Sequence, residues 1–169
     1  AVLDFFLMAG DNIYEELIGT SIVRFYERFN HWLKSNWKFQ AQRNIAYHYD
    51  LGNQFYKEWL DKTMTYSSAL FKSKEEPLAN AQLNKYESIC KSLNLKEGDK
   101  VLEIGCGWGG FAEYAVKTRG VNITGLTLSK EQLEYSKERM FKQGFGEKSN
   151  FLLQDYRDEK GKYDAVVSI

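Results

Sequence analysis

The stretch VLEIGCGWGG, residues 101–110, constrains the fold more than any other part of the sequence. An apolar run is followed by glycines with the spacing G-x-G-x-x-G, at Gly105, Gly107 and Gly110. That spacing is typical of a turn between a buried strand and a helix, where glycine lets a ligand approach the backbone. The start of the following helix presents unpaired N–H groups to such a ligand. The motif therefore predicts a nucleotide-like ligand at the end of a strand in an α/β sheet.

Strand and helix patterns alternate from residue 99 onwards. The predicted strands are KVLEI (100–104), VNITGLTL (121–128), NFLLQDY (150–156) and YDAVVSI (163–169), and the predicted helices are 109–118 and 129–143. This alternation predicts βαβ units, and hence a parallel, doubly wound sheet. Before the sheet, apolar spacing predicts a helix over 78–94, with Pro77 in its first turn and Gly98 just past its end.

Acidic positions discriminate between the candidate ligands. An NAD site needs an acid about 20 residues after the glycines, at the end of the second strand, to bind the ribose hydroxyls. No Asp or Glu occurs between Glu113 and Glu131. Glu103, in contrast, lies two residues before the first glycine, where a carboxylate suits an ammonium and a sulfonium better than a diphosphate. The residues favour S-adenosylmethionine over NAD and leave NAD as the alternative.

The segment SKEQ, residues 129–132, has the form of a helix capping box. Ser129 would be the N-cap and Gln132 the third helical residue. Gln132 has two interpretations at this stage: it satisfies backbone donors only, or it takes over ribose recognition from the missing acid. Its substitution by alanine separates them, because a pure cap would change the melting temperature and leave cofactor affinity unchanged.

Charge and cysteine content argue against several classes of protein. Basic and acidic residues both number 23, so no net field attracts nucleic acid. Cys90 and Cys106 lack metal-ligand spacing, which predicts free thiols, a reducing compartment and no metal site. No apolar run approaches the ~20 residues that a membrane-spanning helix needs.

From Ile18 to Trp32 apolar residues recur at the spacing of one helix face, and aromatic and basic side chains are interleaved over 24–43; we call residues 20–40 the aromatic helix. Over 24–43 the chain holds five basic residues and one acid. Such a helix can lie in a lipid headgroup layer, with its rings buried and its cations facing phosphates. It can also pack on its own domain with a solvated basic face, and the pattern leaves both interpretations open.

Four blocks of the sequence resemble the cyclopropane-fatty-acyl-phospholipid synthases and the related mycolic acid cyclopropane synthases. The blocks are HYDLGNQFYKEWLDKTMTYSSALF (48–71), VLEIGCGWGGF (101–111), GLTLSKEQ (125–132) and LLQDYRD (152–158). The resemblance runs from about Asn44 to Ile169. The glycine block alone would indicate a generic methyltransferase, and the block at 48–71 makes the match specific. The resemblance implies an S-adenosylmethionine-dependent enzyme with the class I methyltransferase (Rossmann-like) α/β fold.

The resemblance also implies a division into three parts. Residues 1–43 would be a helical N-terminal region, the tail of a smaller domain. Residues 44–98 would form a helical cap that carries part of the cofactor and lipid site. Residues 99–169 would be the first half of the S-adenosylmethionine-binding domain. Because the sequence ends in its fourth strand, we expect an incomplete sheet and a truncated chain that is inactive alone.

Cofactor contacts carry over from the family position by position. Tyr66 and Ser67 are expected to touch the cofactor, together with the backbone around the first two glycines. The ribose is expected near the second strand and the adenine near the third. The full predicted contact set is Tyr66, Ser67, Glu103, Gly105, Cys106, Gly107, Thr127, Leu128, Gln132, Asp155 and Tyr156. Of these, Thr127, Leu128 and Gln132 would hold the ribose, and Asp155 and Tyr156 would flank the adenine.

Two of these side chains have a competing interpretation. An aromatic face near a sulfonium gives a cation–π attraction of about 1–2 kcal/mol in a desolvated site, and Tyr66 is the candidate for it. Tyr66 could instead be an ordinary half-buried tyrosine at a helix start. Cys106 lies inside the glycine turn, where we interpret it as a packing residue and not as a nucleophile.

Fewer of the family's catalytic positions than of its cofactor contacts carry over to this sequence. The family commonly has cysteine after the Tyr-Ser pair, where its backbone N–H helps to hold a bicarbonate ion, and this chain has Ser68. A backbone contact survives that change, so Ser68 is the catalytic position that carries over. His48, Tyr49 and Asp50 form a polar cluster, which is interpreted as a structural hydrogen bond or helix cap, or else as a catalytic dyad.

The implied reaction is methyl transfer to a cis double bond of an unsaturated phospholipid, followed by proton loss to bicarbonate and closure of a cyclopropane ring. A carbocation must be kept from water, so this chemistry needs a dry apolar pocket. The implied partner is a membrane surface, with the protein peripheral to the inner face of the cytoplasmic membrane, and a homodimer of the full-length protein stays open. Two other hypotheses are a methyltransferase with a different acceptor and a non-catalytic module that binds through the aromatic helix. A methyl-branched or hydroxylated chain would be an alternative product.

Overall fold

The computed structural model describes residues 25–26, 28–29 and 52–169. The chain divides into two compact units, Ala1–Arg43 and Asn44–Ile169. In the first unit the four described residues are helical and exposed, and the rings of Phe25 and Phe29 stack with centroids 5.8 Å apart. The rest of the aromatic helix lies outside the described residues, as do His48, Tyr49 and Asp50.

The second unit alternates helices and strands as the sequence predicts. The elements are α1 (Gly52–Lys57), α2 (Leu78–Ser92), β1 (Lys100–Ile104), α3 (Gly110–Arg119), β2 (Asn122–Thr127), α4 (Lys130–Lys142), β3 (Ser149–Leu153) and β4 (Ala165–Ser168). Short 3-10 helices occupy Gly146–Lys148 and Tyr156–Asp158. All four predicted strands are confirmed, as are the helices after residues 77, 109 and 129.

The strands form one parallel sheet in the order β3-β2-β1-β4. The chain moves outward from β1 to β3 and then crosses back to β4 on the other side of β1, so the sheet is doubly wound. The predicted α/β fold is therefore confirmed. The crossover places a topological switch point between the carboxyl ends of β1 and β4, which is where ligands bind in sheets of this kind.

The core lies between the sheet and the helices that cover it. Strand β1 is buried at its three central residues, Val101, Leu102 and Glu103, because helices cover both faces of the sheet. The buried cluster joins apolar residues of α2, β1, α3, β2, α4 and β3, including Tyr86, Cys90, Val101, Phe111, Ala115, Val121, Ile123, Met140 and Phe151. This packing fixes the carboxyl end of β1 firmly against its neighbours.

Several element boundaries differ from the predictions, and three of the differences have a local cause or consequence. Strand β3 ends at Leu153, before the predicted residue 156, because the Asp155 side chain accepts a hydrogen bond from the Arg157 N–H (2.9 Å) and starts a 3-10 turn. Pro77 is the N-cap of α2 and not part of its first turn. Helix α2 ends at Ser92, so Gly98 (φ 86°) belongs to the turn that leads into β1.

Within the described residues, no helix is both long and apolar enough to cross a bilayer. The described part of the chain also contains no group of His, Cys, Asp and Glu side chains arranged to hold a metal ion. Both cysteines are buried and free.

Candidate functional site

The turn after β1, which we call the glycine turn (residues 104–110), presents a bare backbone to open space. Gly105 and Gly107 have φ values of 75° and 52°, which side chains adopt only with strain. Among the described residues, no heavy atom lies within 4 Å of the position where either would carry a Cβ. The N–H groups of Gly105 and Cys106 both donate to the Leu126 carbonyl, at 2.9 Å. Strand β2 therefore holds the turn in place while its outer side stays accessible.

The third glycine of the motif, Gly110, is required for a different reason. A Cβ on Gly110 would lie 2.5 Å from the Tyr86 hydroxyl and 3.0 Å from the Thr63 carbonyl. Gly110 is therefore required because α2 and the segment before it pack directly on the start of α3. Gly110 also lines the candidate cavity, as its place in the motif predicts, and its contacts with Tyr86 and Thr63 add a packing reason that the sequence did not show.

Glu103 is the unusual charged residue of the site. Its side chain is 3% exposed, and its Oε2 atom has no hydrogen-bond partner within the described part of the chain. Burial raises the pKa of Glu103 to about 8, and the positive charge of Arg139 acts in the opposite direction. An unpaired buried carboxylate oxygen costs free energy unless something binds it. Glu103 lines a cavity at the carboxyl end of β1, so a ligand in that cavity could supply the missing donor.

The opposite part of the cavity wall comes from the upstream segment, residues 61–71. This segment contains no helix or strand, and its Met64, Thr65, Tyr66 and Ser67 line the same cavity as Glu103 and the glycine turn. The Tyr66 ring is 45% exposed and meets the Trp59 ring edge-on, with centroids 5.2 Å apart. Tyr66 therefore combines a fixed orientation with an accessible aromatic face.

Arg139 on α4 ties the upstream segment to the glycine turn. Its Nη1 donates to the carbonyls of Thr63 (2.8 Å) and Trp108 (3.4 Å). Its Nε forms an ion pair with the Glu113 carboxylate, and both side chains are less than a fifth exposed. One guanidinium thus connects two stretches of backbone that are 45 positions apart, counting from residue 63 to residue 108. Helical spacing could not predict this role of Arg139, because it shows which residues share a face of the helix but not which backbone groups they contact.

The predicted capping box is half formed. The Ser129 hydroxyl accepts from the Gln132 N–H (3.3 Å), as predicted for an N-cap. The Gln132 side chain does not return to the Ser129 N–H, because its Oε1 accepts from the Thr127 hydroxyl (2.8 Å) and the Ser129 N–H donates to Thr127 (3.1 Å). Gln132 also lines the cavity, so its amide NH₂ group is the part that can donate to a ligand.

The structure gathers only part of the predicted contact set around the cavity. The residues that line it are Tyr66, Ser67, Glu103, Gly105, Cys106, Gly107 and Gln132. Thr127 is buried directly behind Gln132, while Leu128 is half-buried and Ser68 is exposed, and neither of these two lines the cavity. Their roles stay predictions.

The predicted adenine pair lies after β3 and outside this cavity. Asp155 forms an ion pair with Arg157 (2.5 Å), and the Arg157 guanidinium lies over the Tyr156 ring, 5.9 Å from its centroid. Tyr156 is 56% exposed. An exposed ring next to the carboxyl end of β3 is available to a flat ligand group, and its assignment to adenine also stays a prediction.

Cys106 has the environment of a packing residue. It is 4% exposed, and burial raises the pKa of its thiol well above the usual range, so the thiol stays protonated. A Cβ added to Gly125 on β2 would lie 3.0 Å from the Cys106 Cβ. These contacts support its interpretation as a residue that fills the turn, since the nucleophilic form of cysteine is the thiolate.

Several residues of the cavity wall were not predicted. They are Met64, Thr65, Tyr86, Trp108, Phe111 and Ile169. The hydroxyls of Tyr86 and Thr65 share a short hydrogen bond, and burial raises the pKa of Tyr86 to about 12. The Trp108 indole N–H donates to the Asn53 side chain (2.6 Å) on α1. Each of these pairs joins residues far apart in the sequence, so spacing along a single element carried no signal for them.

Comparison with known proteins places this site in a family. The family model for mycolic acid cyclopropane synthetase matches residues 36–169. A probable fatty acid methyltransferase of Pseudomonas putida is 42% identical over 74% of this chain and 32% of its own length. The tuberculostearic acid methyltransferase UfaA1 of Mycobacterium tuberculosis is 38% identical over 96% of this chain and 43% of its own. The cyclopropane-fatty-acyl-phospholipid synthase of Escherichia coli K12 is 43% identical over 72% and 31%.

Solved structures agree with this placement. The cyclopropane synthase MmaA2 of Mycobacterium tuberculosis superposes with a TM-score of 0.73 at 34% identity, over 76% of this chain and 45% of that one. The mycolic acid cyclopropane synthase CmaA1, solved in complex with SAH and CTAB, gives the same values. The chain spans less than half the length of each of these relatives. With its class I methyltransferase fold, the chain belongs to the mycolic acid cyclopropane synthetase family.

Proposed function

We propose that this chain binds S-adenosylmethionine in the cavity between the glycine turn and the upstream segment, as part of a lipid methyltransferase. The observation that carries the proposal is the buried carboxylate oxygen of Glu103, which has no hydrogen-bond partner among residues 52–169, beside an accessible backbone turn. Both features lie in one cavity at the switch point of the sheet. S-adenosylmethionine carries an ammonium and a sulfonium, so it brings the positive charge and the donors that such a carboxylate lacks.

The residues present fit the parts of this cofactor. Glu103 would hold the ammonium, and the backbone of Gly105 and Gly107 would approach the chain that links it to the sulfur. The accessible face of Tyr66 would lie near the sulfonium, where cation–π attraction is worth about 1–2 kcal/mol in a desolvated site. Gln132 would donate its amide to the ribose, with Thr127 holding the amide in orientation.

The same geometry argues against NAD. Strand β2 ends at Thr127, and the nearest following acid, Glu131, accepts a hydrogen bond from the Ser129 hydroxyl (3.0 Å) in the first turn of α4. The carboxylate that an NAD site places at the end of the second strand is therefore missing. A diphosphate next to Glu103 would also either meet a like charge or require the carboxyl group to stay protonated, so this residue would not attract it.

The proposed acceptor is the cis double bond of an unsaturated phospholipid acyl chain, with a cyclopropane fatty acid as the product. The bound cofactor would supply the methyl group. The chain's own residues would contribute an apolar, water-poor wall, since Trp108, Phe111 and Met64 line the cavity and are each 5% exposed or less. Exclusion of water is what a cationic reaction path requires. Binding of bicarbonate through the backbone N–H of Ser68 belongs to the same proposal.

A second candidate function shares the cofactor but ends in a different lipid product. It is favoured by the relatives named as a probable fatty acid methyltransferase, a tuberculostearic acid methyltransferase and a sphingolipid C9-methyltransferase. Under this alternative the chain would belong to an enzyme that yields a methyl-branched lipid. The two functions make the same demands on Glu103 and the glycine turn.

Lipid mass analysis tests the proposal and distinguishes the products. Cells that express the complete reading frame would be compared with cells that express the Glu103→Ala variant. A ring adds CH₂ to an unsaturated chain, a methyl branch after reduction adds CH₄, and a hydroxylated branch adds CH₂ and H₂O. The proposal expects the CH₂ product in the wild type and none in the variant. Unchanged lipids from an expressed and folded wild-type protein would contradict it.

Contact with the inner face of the cytoplasmic membrane is also part of the proposal. The aromatic helix supports it through its excess of basic residues, five against one over 24–43. Liposome co-sedimentation should show stronger binding to anionic than to neutral vesicles, because juxtamembrane basic residues contribute about 1 kcal/mol each at an anionic surface. Equal binding to both kinds of vesicle would contradict this part.

A further inference from the structure

Lys85 on α2 supports the cavity from behind. Its Nζ donates a hydrogen bond to the Ser67 hydroxyl (2.7 Å), and Ser67 lines the cavity. Lys85 does not line the cavity itself. Burial lowers the pKa of the Lys85 ammonium, and the nearby charge of Asp61 acts in the opposite direction. The protein thus keeps a partly desolvated cation next to a serine of the candidate site.

This hydrogen bond decides what the serine can offer to a ligand. A hydroxyl has one donor and two acceptor lone pairs. Because the ammonium donates to Oγ, the hydroxyl hydrogen of Ser67 must point away from Lys85, and the neighbouring charge strengthens it as a donor. The Ser67 carbonyl is held separately by the Gln82 side chain (2.9 Å), which is 1% exposed. Ser67 therefore has its hydroxyl hydrogen available as a donor on the side away from Lys85, with a positive charge behind it.

The cavity wall consequently has two complementary polar features. Glu103 contributes an unpartnered carboxylate oxygen, and Ser67 contributes a donor supported by a cation. An anionic group binds favourably to such a charge-assisted donor. A ligand that carries both an ammonium and a carboxylate, as an amino acid does, matches both features at once.

We propose that Lys85 is a positioning residue, which turns the Ser67 hydroxyl toward the carboxylate at the amino-acid end of the cofactor. This inference rests on the proposed binding of S-adenosylmethionine and adds the residue that recognises one end of it. Lys85 acts through Ser67 and makes no contact of its own with the cofactor. It is separate from Glu103, which serves the ammonium.

A purely structural role for Lys85 makes a different prediction. Its Nζ also lies over the Tyr86 ring, 5.3 Å from the centroid, so its loss could loosen α2 against the upstream segment. Loosening of that kind would weaken every ligand of the cavity to a similar degree. A positioning role weakens only those ligands that carry the carboxylate.

The test compares three ligands by calorimetry on the chain as it stands. S-adenosylhomocysteine carries both charged groups, its decarboxylated analogue keeps only the ammonium, and 5′-methylthioadenosine has neither. Lys85→Met should weaken S-adenosylhomocysteine by about tenfold, because the Ser67 hydroxyl loses both the charge that strengthens it as a donor and the contact that orients it. It should leave the other two ligands within about twofold of the wild type, which is the variation expected when no interaction is lost.

Three further variants make the result specific. Lys85→Arg should recover part of the lost affinity, because it keeps a cation at the same place. Lys91→Met is the matched control: Lys91 lies on the same helix, is 72% exposed and pairs with Glu87 at 3.3 Å, away from the cavity wall. It should bind all three ligands like the wild type. Lys85→Met added to Ser67→Ala should have no additional effect, because the lysine acts through the serine hydroxyl.

Two outcomes would overturn the inference. Equal losses for all three ligands in Lys85→Met, with a parallel drop in the urea midpoint, would make Lys85 a structural residue. Unchanged affinity for S-adenosylhomocysteine would remove the role altogether. Either result leaves the proposed function standing as long as the wild type binds S-adenosylhomocysteine. If the wild-type chain binds none of the three ligands, the proposed cofactor site itself fails.

Discussion

The two walls of the cavity are built in different ways. The glycine turn is fixed by main-chain hydrogen bonds to β2, through Gly105 and Cys106 to the Leu126 carbonyl at 2.9 Å. The upstream segment contains no helix or strand, and side chains of two helices hold its backbone, Gln82 on α2 and Arg139 on α4. One wall is therefore a consequence of the sheet, and the other depends on a few individual side chains.

Because the two walls are built differently, substitutions in them should affect folding stability and ligand affinity in different ways. Substitutions at the glycines of the glycine turn strain its backbone, so they should lower folding stability and ligand affinity together, whereas Glu103 should exchange one for the other through its titration. Substitutions among the contacts of the upstream segment should change that wall while leaving the sheet intact. Each prediction below either strengthens or breaks this contrast.

The largest expected effect is the pH dependence of the free energy of unfolding that Glu103, on the sheet side of the cavity, produces. Its pKa is about 8 in the folded chain and 4.5 when unperturbed, so between these pH values the folded state binds one proton more than the unfolded state. The free energy of unfolding should therefore fall as pH rises from 4.5 to 8, by about 4 kcal/mol in all. Glu103→Gln lacks this titration, so its stability relative to wild type should grow over the same range. Urea denaturation at several pH values measures this, and a constant difference would contradict it.

The same titration should appear in ligand binding with the opposite sign. An ammonium prefers the ionised carboxylate, so affinity for S-adenosylhomocysteine should rise toward pH 8, by up to about tenfold per pH unit. Calorimetry on wild type and Glu103→Gln separates this effect from titration of the ligand itself. Equal pH profiles in the two proteins would show that Glu103 does not contact the ligand.

Gly109→Ala should give the next largest loss of stability. Gly109 has φ 77°, and an added Cβ would lie 3.0 Å from the Ser136 Cβ. Strain and crowding together should lower the free energy of unfolding by about 2–4 kcal/mol. Gly144→Ala is the control, since Gly144 has φ 74° and no heavy atom of the described residues within 4 Å of its Cβ position. Gly144→Ala should lose only the stability that backbone strain costs, about 1–2 kcal/mol. Equal losses of stability in the two variants would contradict crowding at Gly109.

Arg139→Met tests the connection between the two walls. It removes an ion pair with Glu113 and hydrogen bonds to the Thr63 and Trp108 carbonyls, which should cost about 2 kcal/mol of unfolding free energy. Amide exchange should speed up most in the upstream segment, whereas β1 and β2, whose core amides exchange through global unfolding, should speed up only by the factor that the lower unfolding free energy requires. A double-mutant cycle with Glu113→Gln should give a coupling energy of about 1 kcal/mol, and the remainder belongs to the carbonyl contacts. Equal acceleration in the upstream segment and in the sheet would contradict the contrast.

The smallest effect, a change in ligand affinity, is expected for the aromatic ring of Tyr66 in the upstream segment. Tyr66→Leu should weaken S-adenosylmethionine by about 1–2 kcal/mol, because a cation–π contact with the sulfonium is lost. S-adenosylhomocysteine has a neutral sulfur, so its affinity should change little. Tyr66→Phe keeps the aromatic face and serves as the control. Equal weakening of both ligands by Tyr66→Leu would show that the ring only packs.

The same contrast explains what the sequence could predict. The strand, the turn and the helix of residues 100–119 are local, so their pattern alone predicted them and the doubly wound sheet. The third glycine was predicted as part of the turn, but its close packing against Tyr86 was not, because Tyr86 comes from a different helix. Arg139 and Lys85 act on residues that lie 76 and 18 positions away, and no periodicity along one helix reveals such partners. The early end of β3 depends on a single Asp155 hydrogen bond that competes with the strand.

Amide hydrogen exchange with and without S-adenosylhomocysteine tests the central claim most directly, because it reports on both walls in one experiment. The account predicts slower exchange in the glycine turn and in residues 63–68 at the same ligand concentration, with no protection by NAD. Protection by NAD, or protection of only one wall by S-adenosylhomocysteine, would contradict the claim that this cavity holds a cationic methyl donor.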